Sequence, residues 1–195
     1  MSFLLIGHQT EKNIKMKKIL FIISILFASF TQAQVTKISL QASGLTCSMC
    51  SNAINKSLQT LDFVEKVKSN ISTSTFEITV KPGASFTFDD FKKKVEDAGF
   101  FVANMNADVN FNNVKVEKDK HINYGGMTFH FLNGKGQVLN GPKTIQVVDK
   151  GYVTAKAFKK NQALTSMECY KTGVVGSCCA KEGLATGDRI YHISI

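Results

Sequence analysis

The sequence predicts an α+β protein in which a strand–helix–strand–strand–helix–strand unit precedes a small β-rich region. Two periodicities and one absence carry this reading. VTKISLQA (Val35 to Ala42) alternates apolar and polar residues at Ile38, Leu40 and Ala42, as a half-buried strand does. From Ser48 the apolar positions become Cys50, Ile54, Leu58 and Leu61, spaced as one stripe of a helix. After Gly99 no helical period recurs, and strand-like runs follow one another to the end of the chain.

The remaining elements of the first unit follow in order. Val64 to Lys68 and FEITV (Phe76 to Val80) read as two strands, and Lys81-Pro82-Gly83 as a turn. Thr87 caps a second helix with Asp89 and Asp90 in its first turn and Phe88, Phe91, Val95 and Ala98 on its buried face. Gly99 ends that helix, and Phe101 to Met105 gives the last strand. This unit spans residues 34–105. Residues 106–120 are polar and charged around Val114 and Val116, and read as a linker or a first strand of the next domain. Residues 121–195 read as a small β-rich domain with strands at Met127 to Leu132, Lys143 to Val148, Tyr152 to Phe158 and Arg189 to Ile195. Asn133-Gly134 and Asn140-Gly141 supply its turn signals.

Ahead of the first strand, residues 1–33 read as an export signal, with Met16 as an alternative start. Lys17 and Lys18 precede an apolar run from Ile19 to Phe27, and Thr31-Gln32-Ala33 supplies a small-x-small cleavage site before Gln34. The run is shorter than the roughly 20 apolar residues a membrane span needs. The mature chain is therefore expected to be exported, periplasmic or secreted, with no membrane insertion. Loss of Lys12, Lys15, Lys17, Lys18 and Glu11 with the signal lowers the formal charge from +9 to +6. That excess is spread out, and no basic run interleaves with aromatics, so nucleic acid is not an expected partner.

Cys47 and Cys50 lie in SGLTCSMCSNAI, where the first strand gives way to the first helix. A C-x-x-C pair serves thiol–disulfide exchange, half a zinc site or soft-metal capture, and a disulfide between the two is the plainest alternative. At a helix mouth, unsatisfied N–H groups and the helix dipole favour thiolates. Two soft thiolates without an obligatory third ligand suit a closed-shell ion of low coordination number such as Cu(I). The redox reading lacks an aromatic entry and a suitably placed proline, since the chain has no Trp and only Pro82 and Pro142. No second C-x-x-C exists to complete a four-ligand structural zinc site.

GLTCSMC on this order of elements resembles the heavy-metal-associated domain over roughly residues 36 to 105. That family includes copper chaperones, metal-binding modules of copper-transporting P-type ATPases and the periplasmic mercury-binding protein. The resemblance implies a ferredoxin-like βαββαβ sandwich. In it, Cys47 and Cys50 would ligate Cu(I), with Hg(II) or Zn(II) as the other candidate ions. It also implies a non-enzymatic carrier that exchanges metal through its thiolates with a metal-transporting ATPase or another copper-handling protein. The chain departs from the family pattern in carrying Leu45 where Met is usual. It also has Phe100 and Phe101 where a Lys or Tyr commonly stands, so Phe100 is the residue expected to shield the site. Thr46, in place of an acidic residue, favours Cu(I) over Zn(II), and Met49 reads as a solvent-facing spacer, with a thioether near the site as the alternative.

The second cysteine group is less specific. Cys169, Cys178 and Cys179 imply either a disulfide from Cys169 to Cys178 or Cys179, or a second soft-metal site with Met167 or His192. His130 and His192 sit in alternating strand patterns and read as surface or hydrogen-bonded residues rather than ligands. Lys92-Lys93-Lys94 reads as a solvated helix face or part of a docking surface. Two functions of other classes stay beside the metal carrier: a periplasmic thiol–disulfide oxidoreductase, and an adaptor whose second domain binds a partner only when metal is loaded.

Overall fold

Among the described residues, one eight-stranded sheet organises the computed structural model. The structure describes residues 34–45, 47–177, 179 and 183–195. The export signal at 1–33, Thr46 and Cys178 lie outside the described residues.

The first six elements are β1 (Gln34–Ser43), α1 (Ser48–Gln59), β2 (Val64–Asn70), β3 (Thr75–Val80), α2 (Phe88–Asp97) and β4 (Phe101–Val116). β1 is flanked by β3 and β4, both antiparallel, and β2 pairs with β3 outside them. The inward residues of the strands, Ile38, Leu40, Phe76 and Ile78, meet Ile54 and Leu58 of α1 and Phe88, Phe91 and Val95 of α2 in one buried core. Phe63, Phe86 and Phe91 add an aromatic triangle with ring centroids 5.2–5.4 Å apart.

Capping chemistry sets the ends of α2. The Asp90 carboxylate accepts from the Thr87 backbone N–H at 2.7 Å and from the Thr87 hydroxyl at 2.8 Å, closing a capping box. At the other end, Gly99 N donates to Glu96 O and Phe100 N to Val95 O, at 2.9 and 3.1 Å. This Schellman closure needs a left-handed residue, and Gly99 supplies φ +87° without a Cβ penalty.

β4 does not stop at Met105. Residues 106–116 form its second half and pair with β7 (Gln137–Val147) while its first half pairs with β1. Beyond β7 stand β8 (Ile190–Ser194), β6 (Met127–Phe131) and β5 (His121–Tyr124). β6 and β8 are parallel and the other pairs antiparallel. Leu139, Ile145, Phe129, Tyr191 and Ile193 belong to the same buried cluster as Ile38 and Phe88, so apolar packing runs unbroken from one end of the sheet to the other.

Three expectations for this second region need correction. Tyr152 to Phe158 is not a strand: Ala155–Asn161 forms a short helix, α3, capped by the Thr154 hydroxyl, which accepts from Ala157 N at 3.3 Å. A second short helix, α4 (Cys169–Thr172), follows a 3₁₀ turn at Gln162–Leu164, so helices do occur after Gly99. α3 buries no residue fully, and the alternation of Val153, Ala155 and Ala157 with Thr154 and Lys156 imitates a strand. Asn140-Gly141 is not a turn but lies inside β7, where the register shifts between Phe111 and Val114 of β4. Two β4 residues oppose one on β7 there, a bulge that bends the pair.

A polar cluster ties α2 to the far half of the sheet. Asp89 accepts from Tyr152 at 2.6 Å, from Tyr191 at 2.8 Å and from Arg189 Nε at 2.8 Å. The Arg189 guanidinium also lies 4.2 Å from the Tyr191 ring centre. Burial pushes the Asp89 carboxyl up, yet hydrogen bonds from Arg189 and Tyr152 outweigh it and hold the group below the ordinary carboxylate range. A depressed folded-state value adds stability above the unfolded pKa near ~3.9, and that stability is lost as pH falls through the folded value. Asp89→Asn is therefore expected to lower stability at pH 7 by about 1–3 kcal/mol, discounted for partial exposure. It should also flatten the decline below about pH 4. Urea unfolding of both proteins at several pH values checks both effects.

Candidate metal centre

Gly44 carries the chain out of β1 at φ +82°, and Leu45 beside it packs partly buried against the core. A Cβ at Gly44 would stand 4.0 Å from Phe100 Cδ1, so the Phe100 ring lies against the backbone at the base of the loop. Phe100 itself is half-buried on the core, while Phe101 is exposed. Gly44→Ala places a side chain in left-handed backbone at a cost of about 1–2 kcal/mol. The expected result is a lower melting temperature together with weaker metal uptake by the loop, read by thermal unfolding and metal titration of one sample.

The loop ends in a helix mouth built by the first cysteine. Cys47 is the N-cap residue of α1, in extended backbone, and its Sγ accepts from Cys50 N at 3.4 Å. The two sulfurs are 2.8 Å apart. The S–H and backbone contacts from Cys50 hold the Cys47 thiol below its ordinary range, although the residue is fully exposed. A sulfur that already accepts hydrogen bonds as a helix cap is primed to be a thiolate. Two metal–sulfur bonds of ~2.3 Å on opposite sides of an ion span at most ~4.6 Å, so the sulfurs need to part by only about 1–2 Å to grip one. Cys47 stands at the solvent edge, where a side-chain rotation meets no packed wall.

Met49 is 80 % exposed and faces solvent, as a spacer between the cysteines would. Lys92 and Lys93 pair with Glu96 and Asp97 one turn along α2, at 2.7 and 3.0 Å, so two of the three lysines are partnered on their own helix.

The second cysteine group brings Cys169 against His192, a partner named for a second metal site, and adds two further histidines. Cys169, at the start of α4, and Cys179 are both buried in one small apolar cluster, and the third thiol, Cys178, lies outside the described residues. Cys169 Sγ faces three imidazoles: His192 Nε2 at 3.4 Å, His121 Nε2 at 3.6 Å and His130 Nδ1 at 3.8 Å. His130 and His192 are not surface residues, since both are fully buried. His121 pairs with His130 across β5 and β6, and His130 pairs with His192 across β6 and β8, which sets the three rings in one row. Their centroids are 4.8 and 4.9 Å apart. His192 Nδ1 meets Asp149 Oδ1 at 2.6 Å, and the other Asp149 oxygen accepts from His192 N at 3.0 Å. His130 Nε2 lies 3.4 Å from Asp119 Oδ1, at ion-pair distance but without hydrogen-bond geometry. Burial, reinforced by the neighbouring His192 and His121 rings, pushes His130 down to about 4. Met167 packs against this cluster. The sequence signal that pointed here was the cysteine group with Met167 or His192; His121 and His130 join it through cross-strand register, which cannot be read along one chain.

Comparison with known proteins bears on the first of these sites. A family model for the heavy-metal-associated domain matches residues 39–101. No curated protein matches the chain. Among solved structures, a yeast copper transporter domain studied in apo and Cu(I)-loaded states is 33 % identical over 34 % of this chain and 90 % of its own, with a TM-score of 0.31. A copper-ion-binding protein of Bacillus anthracis, described as putative, is 33 % identical over 35 % of this chain and 96 % of its own, with a TM-score of 0.33. The N-terminal domain of a potential copper-translocating P-type ATPase from Bacillus subtilis, in a Cu(I)-loaded state, is 25 % identical over 34 % of this chain and 82 % of its own, with a TM-score of 0.31.

Proposed function

Because residues 39–101 are a heavy-metal-associated domain, we propose that the chain is an exported carrier of Cu(I), held between Cys47 and Cys50 and handed on by thiolate exchange. The observation that carries this reading is the geometry of the loop: two sulfurs 2.8 Å apart, one of them capping α1, at an exposed helix mouth. The ion is cargo, so the site is required to bind and release rather than to enclose. Exposure serves that end, because an incoming thiolate can reach the ion before the first sulfur leaves. Phe100, whose ring lies near Gly44, is the residue that would shield the inner side of the loop.

The receiving partner is a metal-transporting ATPase or another copper-handling protein with a thiol pair of its own. Among the described residues no helix is long and apolar enough to cross a membrane. Two soft sulfurs with no carboxylate between them favour Cu(I) over a harder divalent ion.

An anaerobic titration of the chain against a competing Cu(I) chelator tests the proposal. The expected result is uptake of one Cu(I) by the loop pair in the presence of the chelator. Failure to compete would overturn it. Catalytic reduction of insulin disulfides by the metal-free protein would instead favour the oxidoreductase reading.

A further inference from the structure

The row of histidines on β5, β6 and β8, with Cys169 of α4 above it, has no role in the loop chemistry. We propose that Cys169, His121, His130 and His192 form a second, closed metal site that holds a divalent borderline ion, Zn(II), and fastens the far half of the sheet.

Four observations support this. The first is distance. Tetrahedral zinc with Zn–S ≈ 2.3 Å and Zn–N ≈ 2.0–2.1 Å separates sulfur from each nitrogen by about 3.5–3.6 Å. The three sulfur–nitrogen distances are 3.4, 3.6 and 3.8 Å, which bracket that value. The donor atoms of His121, His130 and Cys169 all fall within 4.8 Å of one another.

The second is proton accounting. His192 Nδ1 lies 2.6 Å from Asp149 Oδ1, so the tautomer that donates to this carboxylate turns its Nε2 lone pair to the sulfur. Asp119 Oδ1 stands 3.4 Å from His130 Nε2 without hydrogen-bond geometry, and His130 Nδ1 faces the same sulfur at 3.8 Å. A thiol has one proton and cannot serve two ring nitrogens that both face it as acceptors, and Cys169 is 1 % exposed. A cation at the centre satisfies both and the thiolate with them.

The third is the outer layer. A carboxylate on the far nitrogen of a ligating histidine fixes its tautomer and raises its basicity, and here Asp149 and Asp119 face the far nitrogens of two of the three rings. The fourth is burial. Cys169 is 1 % exposed and the His130 and His192 rings fully buried, which suits a closed four-ligand site. The same burial argues against a different use of these groups. Cys169, His192 and Asp149 stand in the sequence nucleophile, base, orienting acid, but a sulfur enclosed by three imidazoles leaves no face for a substrate. The mixed nitrogen and sulfur donors exclude hard ions, and three imidazole nitrogens within 3.8 Å of one sulfur separate the site from the two-sulfur loop. The proposal stands independently of the loop pair.

The test uses the full mature chain carrying Cys47→Ser and Cys50→Ser, so that the loop contributes no thiolate. After chelator treatment the protein is titrated with Co(II), then with Zn(II). The expected result is one equivalent of Co(II) giving a sulfur-to-cobalt charge-transfer band and intense tetrahedral ligand-field bands. Zn(II) should abolish both while raising the melting temperature. Adding Cys169→Ala should remove the charge-transfer band. Should that variant fail to fold, His121→Ala, at the half-exposed end of the row, should fold and lose the tetrahedral bands. Asp149→Asn should weaken Co(II) binding by about 10–100-fold. Absence of Co(II) binding in the loop-silenced chain would sink the proposal. So would a charge-transfer band that survives Cys169→Ala, or tetrahedral bands unchanged in His121→Ala.

Discussion

Replacing both Cys47 and Cys50 with serine is expected to lower Cu(I) affinity by a factor on the order of 10³ or more while leaving the fold in place. Changes to groups behind a metal ligand alone typically cost about 10–100-fold, and loss of both ligating sulfurs removes the soft donors outright. A hydroxyl is a hard, protonated donor at neutral pH and does not replace a thiolate on Cu(I). The structure also explains why the loss should be selective. Cys47 is exposed and its sulfur serves α1 only as an N-cap acceptor. Serine is among the preferred N-cap residues, so Cys47→Ser keeps or strengthens the helix end. Far-ultraviolet circular dichroism and urea midpoint should therefore match the wild type, while Cu(I) is surrendered to the competing chelator. Retained uptake by the double variant, with the fold intact, would move the binding site elsewhere in the chain.

The elements around that loop were legible because each is specified locally. Ile54 and Leu58 repeat at helical spacing, Thr87 with Asp90 announces a helix start, and Gly99 announces its end. The cysteine pair was legible for the same reason, since both cysteines fall within four residues. The far half of the sheet obeys no such local rule. All five residues of β6 are buried, so its strand shows no alternation that separates a core face from a solvent face. His130 on that strand, His121 on β5 and His192 on β8 become neighbours only through an antiparallel and a parallel pairing 9 and 62 residues apart in sequence. Asp149 and Asp119 arrive from two further loops. Sequence spacing holds no record of those meetings, and for that reason His130 and His192 read as ordinary strand residues.

Phe88→Ala is expected to destabilise the protein by about 3–5 kcal/mol, the range for truncating a buried phenylalanine. At roughly 2–4 °C per kcal/mol for a chain of this size, the melting temperature should fall by about 6–20 °C. Phe88 opens α2 and is fully buried, with its ring edge-on to Tyr191 at 5.1 Å and 6.3 Å from Phe129. Those two partners lie on β8 and β6, whereas its helix packs against α1 and β4. The cavity left by truncation therefore opens where the heavy-metal-associated unit meets the rest of the sheet. Because apolar packing and β4 both run through that point, the loss should appear as a shift of one cooperative transition. Near-ultraviolet circular dichroism, which reports Tyr191 and Tyr152, and Cu(I) retention by the loop are expected to fail at the same urea concentration. Two separated transitions, with only the tyrosine signal shifted, would mean that the strands beyond β4 fold apart from the metal loop despite sharing its core.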